Sequence, residues 1–138
     1  MEKLKKIDAH TNVLTWFEIP VLNTLRAKSF YEEILDLKMT IRSFPDSEEE
    51  LTFFPYDPNV IQATSGRITG VLTKSPNKEP SRSGVLIYIN AYPEIQLVLD
   101  RVVAAGGKII LTKTLIPAGY IAVIEDTEGN HIGLSSEK

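Results

Sequence analysis

The chain has no cysteine, only two histidines and a single tryptophan in 138 residues. The lack of cysteine excludes disulfide scaffolds, thiolate metal sites and cysteine nucleophiles. No apolar run reaches the ~18 residues that would span a bilayer, and no signal-peptide pattern opens the chain. We therefore expect a cytoplasmic protein that does not insert into membranes.

The chain also lacks a large excess of charge of either sign. The formal net charge is −3 and the pI is about 5.4, whereas phosphate binding needs a concentrated basic patch. The only local basic run, Lys3, Lys5 and Lys6, falls in a polar N-terminal leader and is typical of a solvated tail. Nucleic acid is therefore not the expected partner.

The composition is that of one ordinary globular domain covering residues 1–138. Apolar residues make up 43% and charged residues 24% of the chain, close to the averages of folded domains. A chain of this length can bury one core without disulfides.

Hydrophobic periodicity predicts the same order of elements twice, a strand, a helix and three further strands. After a leader at 1–12, the first half has a strand near 16–21, a helix over about 24–35 and strands near 38–44, 50–55 and 67–73. A polar segment with two prolines, 75–83, separates the halves. The second half has a strand at 85–90, a helix over 94–105 that ends in a left-handed cap at Gly106-Gly107, and strands near 108–112, 119–125 and 131–135.

A shift of 70 residues lays the first half on the second. Trp16 then falls on Leu86 and Glu18 on Tyr88. Neither half could bury its sheet face alone, so we expect two modules, 13–74 and 84–136, to pair. The short linker permits pairing within one chain or exchange between two chains.

The ordered motifs resemble those of the vicinal oxygen chelate superfamily, which includes glyoxalases, bleomycin-resistance proteins and extradiol dioxygenases. They are Asn23-Thr24-Leu25-Arg26-Ala27 before Phe30-Tyr31, Ala104-Ala105-Gly106-Gly107-Lys108, Gly119-Tyr120, and Asp126-Thr127-Glu128-Gly129-Asn130-His131-Ile132-Gly133-Leu134. The resemblance covers residues 13–136. It implies an α+β fold of two βαβββ modules that form a curved eight-stranded mixed sheet around a cleft, and it fixes neither reaction nor substrate.

The resemblance also locates the four strand positions that supply metal ligands in metal-dependent relatives. In this sequence they fall on Trp16, Gly70, Leu86 and Gly133. None of these side chains can bind a divalent ion. One carboxylate, Glu18, and one imidazole, His131, make a poor substitute without a third ligand. We expect no metal and no other cofactor.

Side chains of the expected cleft mix aromatic surface with a few polar groups, as in small-molecule pockets. The candidate ligand-binding residues are Trp16, Glu18, Tyr88, Asn90, Tyr120, His131 and Phe54. The primary hypothesis is a metal-independent protein that binds a small, partly aromatic molecule. By the resemblance, it would do so as a homodimer.

Two alternatives remain at this level. One is a lyase or isomerase that uses Glu18 as general base, since a carboxylate in a partly apolar cleft can have a raised pKa. The other is an interaction module whose cleft has closed. The state of the cleft and the partner of Glu18 distinguish the three.

Overall fold

Eight strands and two helices make up the described part of the chain in the computed structural model, which describes residues 7–138. The basic run at Lys3, Lys5 and Lys6 lies outside these residues. In chain order the elements are β1 (Phe17–Pro20), α1 (Thr24–Leu35), β2 (Thr40–Ser43), β3 (Glu50–Phe53), β4 (Gly70–Lys74), β5 (Tyr88–Asn90), α2 (Ile95–Val102), β6 (Lys108–Ile116), β7 (Gly119–Glu125) and β8 (His131–Ser136).

The strands pair as the repeat predicts. The first sheet has the order β1-β4-β3-β2 and the second has the order β5-β8-β7-β6. In each sheet the first strand runs parallel to the last, and the other pairs are antiparallel. This confirms the α+β class and the two βαβββ modules. The expected eight-stranded sheet consists of two four-stranded hydrogen-bonded units, with β1 and β5 as edge strands.

Helix α1 matches the prediction because its ends are chemically marked. The Asn23 side chain accepts a hydrogen bond from the Arg26 amide at 2.9 Å, which satisfies one free donor of the first turn. At the other end Asp36 adopts the left-handed conformation, with φ of 52°. The helix therefore ends at a defined residue, although no glycine is present at its C-terminus.

Helix α2 is shorter than predicted. It ends at Val102, and the Gly107 amide donates to the Val102 carbonyl at 2.9 Å to close the turn. Of the two glycines only Gly106 has a positive φ, 104°. Gly107 is required for a steric reason instead, because a Cβ at this position would lie 2.7 Å from the Phe30 ring.

The two modules share one apolar core on the helix side of both sheets. Phe30 and Tyr31 of α1, Ile95 of α2, and Leu72 and Leu134 of the sheets are all fully buried in it. A buried set of this kind, drawn from both halves, explains why neither module is expected to be stable alone.

A buried polar cluster also connects α1 to the turn before β8. Tyr31 Oη donates to Asp126 Oδ2 at 2.6 Å. Glu128 Oε1 accepts the backbone amides of Leu22 and Asn23, both at 2.8 Å, and Arg26 Nε lies 2.7 Å from Glu128 Oε2. Charge-assisted bonds to buried carboxylates fix this junction strongly.

Strand lengths in the second module differ from the prediction. β5 keeps only three residues of the expected 85–90, while β6 extends nine residues to Ile116. Register shifts interrupt the pairing of β6 with β7, and such bulges are not visible in a simple alternation pattern. Within residues 7–138, no helix is long and apolar enough to cross a membrane.

Candidate functional site

Each sheet has one face against the helices, the helix face, and an opposite face that we call the cleft face. In the first sheet, Ile19 pairs with Leu72 on the helix face, and both are buried. Glu18 pairs with Val71, and Val71 with Phe53, so these three side chains share the cleft face. Alternation along a strand fixes the two sets.

The second sheet follows the same rule. Ile89 and Leu134 pair on the helix face, while Tyr88 pairs with Gly133 on the cleft face. A Cβ on Gly133 would lie 2.6 Å from Tyr88 Cδ1. The Tyr88 ring therefore lies directly over the Gly133 backbone.

Five of the seven sequence-predicted residues lie on the cleft face: Trp16, Glu18, Tyr88, Asn90 and His131. The expectation for Tyr120 is wrong, because it pairs with the buried Ser136 on the helix face. There the Lys113 ammonium lies 4.3 Å from the centre of its ring.

Phe54 also lies on the helix face, contrary to prediction. Its amide bonds to the Gly70 carbonyl at 3.0 Å, and its ring packs 5.5 Å from Phe17 and 5.7 Å from Tyr31. The neighbouring Phe53 takes the cleft side instead. A one-residue difference in strand register exchanges the two faces.

Glu18 forms an ion pair, which does not suit the role of a general base. Lys78 Nζ lies 2.7 Å from Glu18 Oε1, and Thr73 Oγ1 donates to the same oxygen at 2.9 Å. The hydrogen bond from Lys78 lowers the pKa of Glu18. A carboxylate stabilised in its charged form is a weaker proton acceptor than the general-base alternative requires.

His131 belongs to a charged cluster at the rim of the second cleft face. Its Nε2 lies 3.2 Å from Glu125 Oε1, which also accepts from Arg82 Nε at 2.9 Å. Burial raises the pKa of Glu125, but the bond from His131 and the charges of Arg82 and Lys108 lower it overall. Glu18 and His131 both line a small cavity of about 150 Å³ at the junction of the modules.

Aromatic rings and one arginine cover the first cleft face, and sequence reasoning found only Trp16 among them. The Trp16 and Phe53 rings lie 6.1 Å apart, and Phe53 and Tyr56 lie 5.5 Å apart. The Arg42 guanidinium lies 5.7 Å from the Phe53 ring centre and donates to Tyr56 Oη at 3.2 Å. The alternation of Arg42 with Ile41 along β2 was the available signal for this group.

The main cavity is a groove of about 760 Å³ between the exposed edges of β1 and β5, which we call the intermodule groove. Its wall is mostly apolar and comes from both modules. It is lined by Leu14, Phe17, Leu35, Leu37, Phe54, Pro55, Ile68, Thr69, Val85, Leu86, Ile87, Tyr88, Ile89 and Asn90. Of the predicted residues, Tyr88, Asn90 and Phe54 contribute to it.

Two polar groups of this groove have hydrogen-bond donors without a partner among the described residues. Asn90 Oδ1 accepts the Tyr92 amide at 2.9 Å, which leaves the Asn90 amino group facing outward without a partner among residues 7–138. The Tyr88 hydroxyl likewise makes no hydrogen bond within the described chain. A bound molecule with an acceptor atom would satisfy both.

The four metal-ligand positions do not fit a divalent ion. Trp16 and Leu86 have no donor atom suited to one, and Tyr88 covers Gly133. The assignment of Gly70 to a cleft-facing position is wrong, because Gly70 pairs with Phe17 on the helix face. The neighbouring residue that faces the cleft is Val71. Among the described residues 7–138, no three His, Asp or Glu side chains come together as a metal site.

Comparison with known proteins gives a consistent result. A family model described as "Glyoxalase/Bleomycin resistance protein/Dioxygenase superfamily" matches residues 13–134. No curated protein matches the chain significantly.

Solved structures share the fold at low identity. A glyoxalase I mutant from Zea mays has 20% identity and a TM-score of 0.67 over 88% of this chain, which spans only 45% of that longer one. The trypanothione-dependent glyoxalase I of Leishmania major has 22% identity and a TM-score of 0.64, covering 91% of this chain and 87% of its own. A glyoxylase/bleomycin resistance protein/dioxygenase domain from Frankia sp. has 15% identity and a TM-score of 0.65, with 92% and 98% covered.

Proposed function

The chain belongs to the glyoxalase/bleomycin resistance protein/dioxygenase superfamily, and we propose that it is a metal-independent member that binds a small, partly apolar molecule. The intermodule groove is the observation that carries this proposal. Its volume of about 760 Å³ falls within the ~300–1,000 Å³ typical of ligand pockets. Apolar walls with a few convergent donors are the usual composition of such sites.

The ligand would lie along the edge of β5. Leu35, Leu37 and Ile68 supply apolar contact from the first module, and Leu86 supplies it from the second. The hydroxyl of Tyr88 and the amino group of Asn90 then orient an acceptor on the ligand. Because both modules contribute wall, binding would also stabilise their packing.

The two alternatives have less support. Glu18 is held by Lys78 with a lowered pKa, which disfavours a general base at that position. An interaction module has no need of an apolar groove of about 760 Å³ between its halves.

A homodimer is part of the proposal. Three large side chains of the cleft faces are strongly exposed in the single chain: Trp16 at 37%, Tyr88 at 49% and Leu111 at 39%. Exposed apolar surface of this kind is typical of interfaces. A second copy packed on the cleft faces would cover them and narrow the opening beside Tyr88.

A thermal-shift screen tests the proposal directly. Aromatic and aliphatic compounds that bind the groove should raise the melting temperature of the wild-type protein. The variant Leu86→Trp fills the groove and should weaken each hit at least about tenfold. Leu115→Trp is the matched control, because Leu115 is 70% exposed on β6 and lies outside the groove.

Two results would contradict the proposal. If Leu86→Trp and Leu115→Trp affected the hits equally, the groove would not be the binding site. Metal independence would be overturned by a large stabilisation with zinc, nickel or manganese that a chelator removes.

A further inference from the structure

The intermodule groove does not end at Asn90. It continues into a second cavity of about 600 Å³ beneath the 55–69 loop. The two cavities share four lining residues, Pro55, Ile68, Thr69 and Asn90. We call this extension the polar pocket, since Tyr56, Asp57, Gln62, Arg67 and Asn90 line it.

The loop that roofs the polar pocket is anchored to the rest of the chain. The Asn12 side chain donates to the Gln62 carbonyl at 2.6 Å, and the Asn12 amide donates to the Ala63 carbonyl at 2.8 Å. Long loops of this type are often functional when the scaffold positions them.

One guanidinium group lines the polar pocket, and a second lies beside it. Arg67 lines it directly, is exposed, and makes no ion pair with the described residues. Arg42 lies outside the lining but donates to the lining residue Tyr56, at 3.2 Å from its Oη, and its guanidinium lies over the Phe53 ring. Arg42 also has no carboxylate partner among residues 7–138, so both cations have donors to spare.

One carboxylate opposes them. Asp57 also lines the polar pocket, and its Oδ1 accepts the Asn59 amide at 2.9 Å. Within the lining, Arg67 and Asp57 balance each other, and Arg42, bonded to Tyr56 beside the lining, adds one positive charge. The neutral groups add further donors, since Asn90 presents its amino group and the Tyr56 hydroxyl, which accepts from Arg42, keeps its own proton.

The intermodule groove is apolar and the polar pocket that continues it is lined by polar and charged groups. A ligand that fills both would have one apolar end and one polar end. We infer that the ligand is an amphipathic organic carboxylate, with its apolar body in the intermodule groove and its carboxylate between Arg67 and the Arg42–Tyr56 pair. This inference rests on the proposed function and adds the chemical class of the ligand. Planar guanidinium groups are well matched to a carboxylate.

Three probes of equal shape test the head-group preference: 4-phenylbutyrate, 4-phenylbutan-1-ol and 4-phenylbutylamine. Isothermal titration calorimetry on the full chain should show the carboxylate binding about tenfold tighter than the alcohol. The amine should bind more weakly than either. The preference should shrink as salt concentration rises, because the head group remains partly solvated.

Variants assign the preference to the two arginines. Arg67→Gln and Arg42→Gln should each reduce it about threefold, and the double variant should bring it close to one. Affinity for the alcohol should stay unchanged in all three, which reports an intact groove. Arg101→Gln is the matched control, because Arg101 is an exposed arginine of α2 that lines neither cavity.

The outcomes separate the two proposals. Equal affinity for the carboxylate and the alcohol, or tighter binding of the amine, would overturn the inference while the small-molecule function stands. A carboxylate preference that survives the double arginine variant would overturn the assignment to this pocket. If none of the three probes binds while the thermal-shift screen still gives hits that Leu86→Trp weakens, the inference fails and the proposed function stands.

Discussion

At the scale of single residues, the sequence predicted the strand face of Glu18 but not the residue that Glu18 contacts. Glu18 was correctly placed on the cleft face by alternation, yet its partner Lys78 lies 60 positions further along the chain. Because β1 lies beside β4, the turn after β4 at Ser75–Lys78 brings Lys78 to Glu18, and local sequence patterns do not report such a contact. The general-base alternative required a raised pKa at Glu18, whereas its bond with Lys78 lowers that pKa.

Glu128 belongs to the Asp126–Leu134 motif, and in the structure its side chain connects the two modules. Its side chain is buried and accepts two backbone amides of the first module besides pairing with Arg26. Burial raises the pKa of Glu128, but the bonds from Arg26, Asn23, Thr127 and Leu22 lower it overall. Removing the charge leaves these donors with a weaker acceptor.

We predict that Glu128→Gln lowers the free energy of unfolding by about 2 kcal/mol at neutral pH. A carboxylate with a depressed folded-state pKa contributes stability above its unfolded value of 4.5 and loses that contribution as pH falls through the folded pKa. The difference between wild type and variant should therefore shrink in acid.

Urea unfolding at neutral pH and at about pH 3 measures this difference, with the exposed Glu137→Gln as control. A Glu128→Gln penalty that is constant across this pH range would show that the carboxylate charge does not stabilise the junction.

At the scale of elements, helix α1 was predicted to the residue and several strand faces were not. The helix is marked by Asn23 and by an apolar stripe that ends in Ile34. In β3, by contrast, two adjacent phenylalanines made the strand pattern ambiguous, and only pairing with β4 places Phe53 on the cleft face. Tyr120 was misplaced for the same reason, because its face depends on register with β8.

The end of α1 supplies a prediction at this scale. Asp36 has φ of 52°, a conformation that costs a residue with a Cβ about 1 kcal/mol. Its side chain is exposed and makes no hydrogen bond with the described residues. Asp36→Gly should therefore raise the free energy of unfolding by about 0.5–1 kcal/mol.

Asp36→Val should act in the other direction, lowering the free energy of unfolding by about 1 kcal/mol or more, because a β-branched residue tolerates this conformation poorly. Thermal or urea unfolding of both variants checks the pair. If the two substitutions changed stability in the same direction, backbone conformation at Asp36 would not be the controlling factor.

At the scale of the whole molecule, the internal repeat predicted the architecture because each half needed a partner to bury its sheet. The repeat did not reveal that the hydrogen-bonded sheet breaks between β1 and β5. The intermodule groove lies at that break. The proposed binding cavity is therefore found where the expected eight-stranded sheet would have paired β1 with β5. The module limits at 13–74 and 84–136 stay predictions.

The exposed cleft faces lead to a prediction about assembly. If a second copy covers them, the protein should elute as a dimer, with its mass measured by light scattering coupled to gel filtration. Leu111→Lys places a charge in the middle of the second cleft face, where Leu111 pairs with Val123. Burying an unpaired ammonium is unfavourable enough to dissociate such an interface.

Leu25→Lys is the matched control for this prediction. Leu25 is 69% exposed on α1, on the opposite side of the first sheet from the cleft face, so its substitution should leave the mass unchanged. The reverse pattern, in which Leu25→Lys gives monomers and Leu111→Lys does not, would place the contact on the helices. In that case the cleft faces would stay open to solvent, and the intermodule groove would have to bind its ligand without a second copy beside Tyr88.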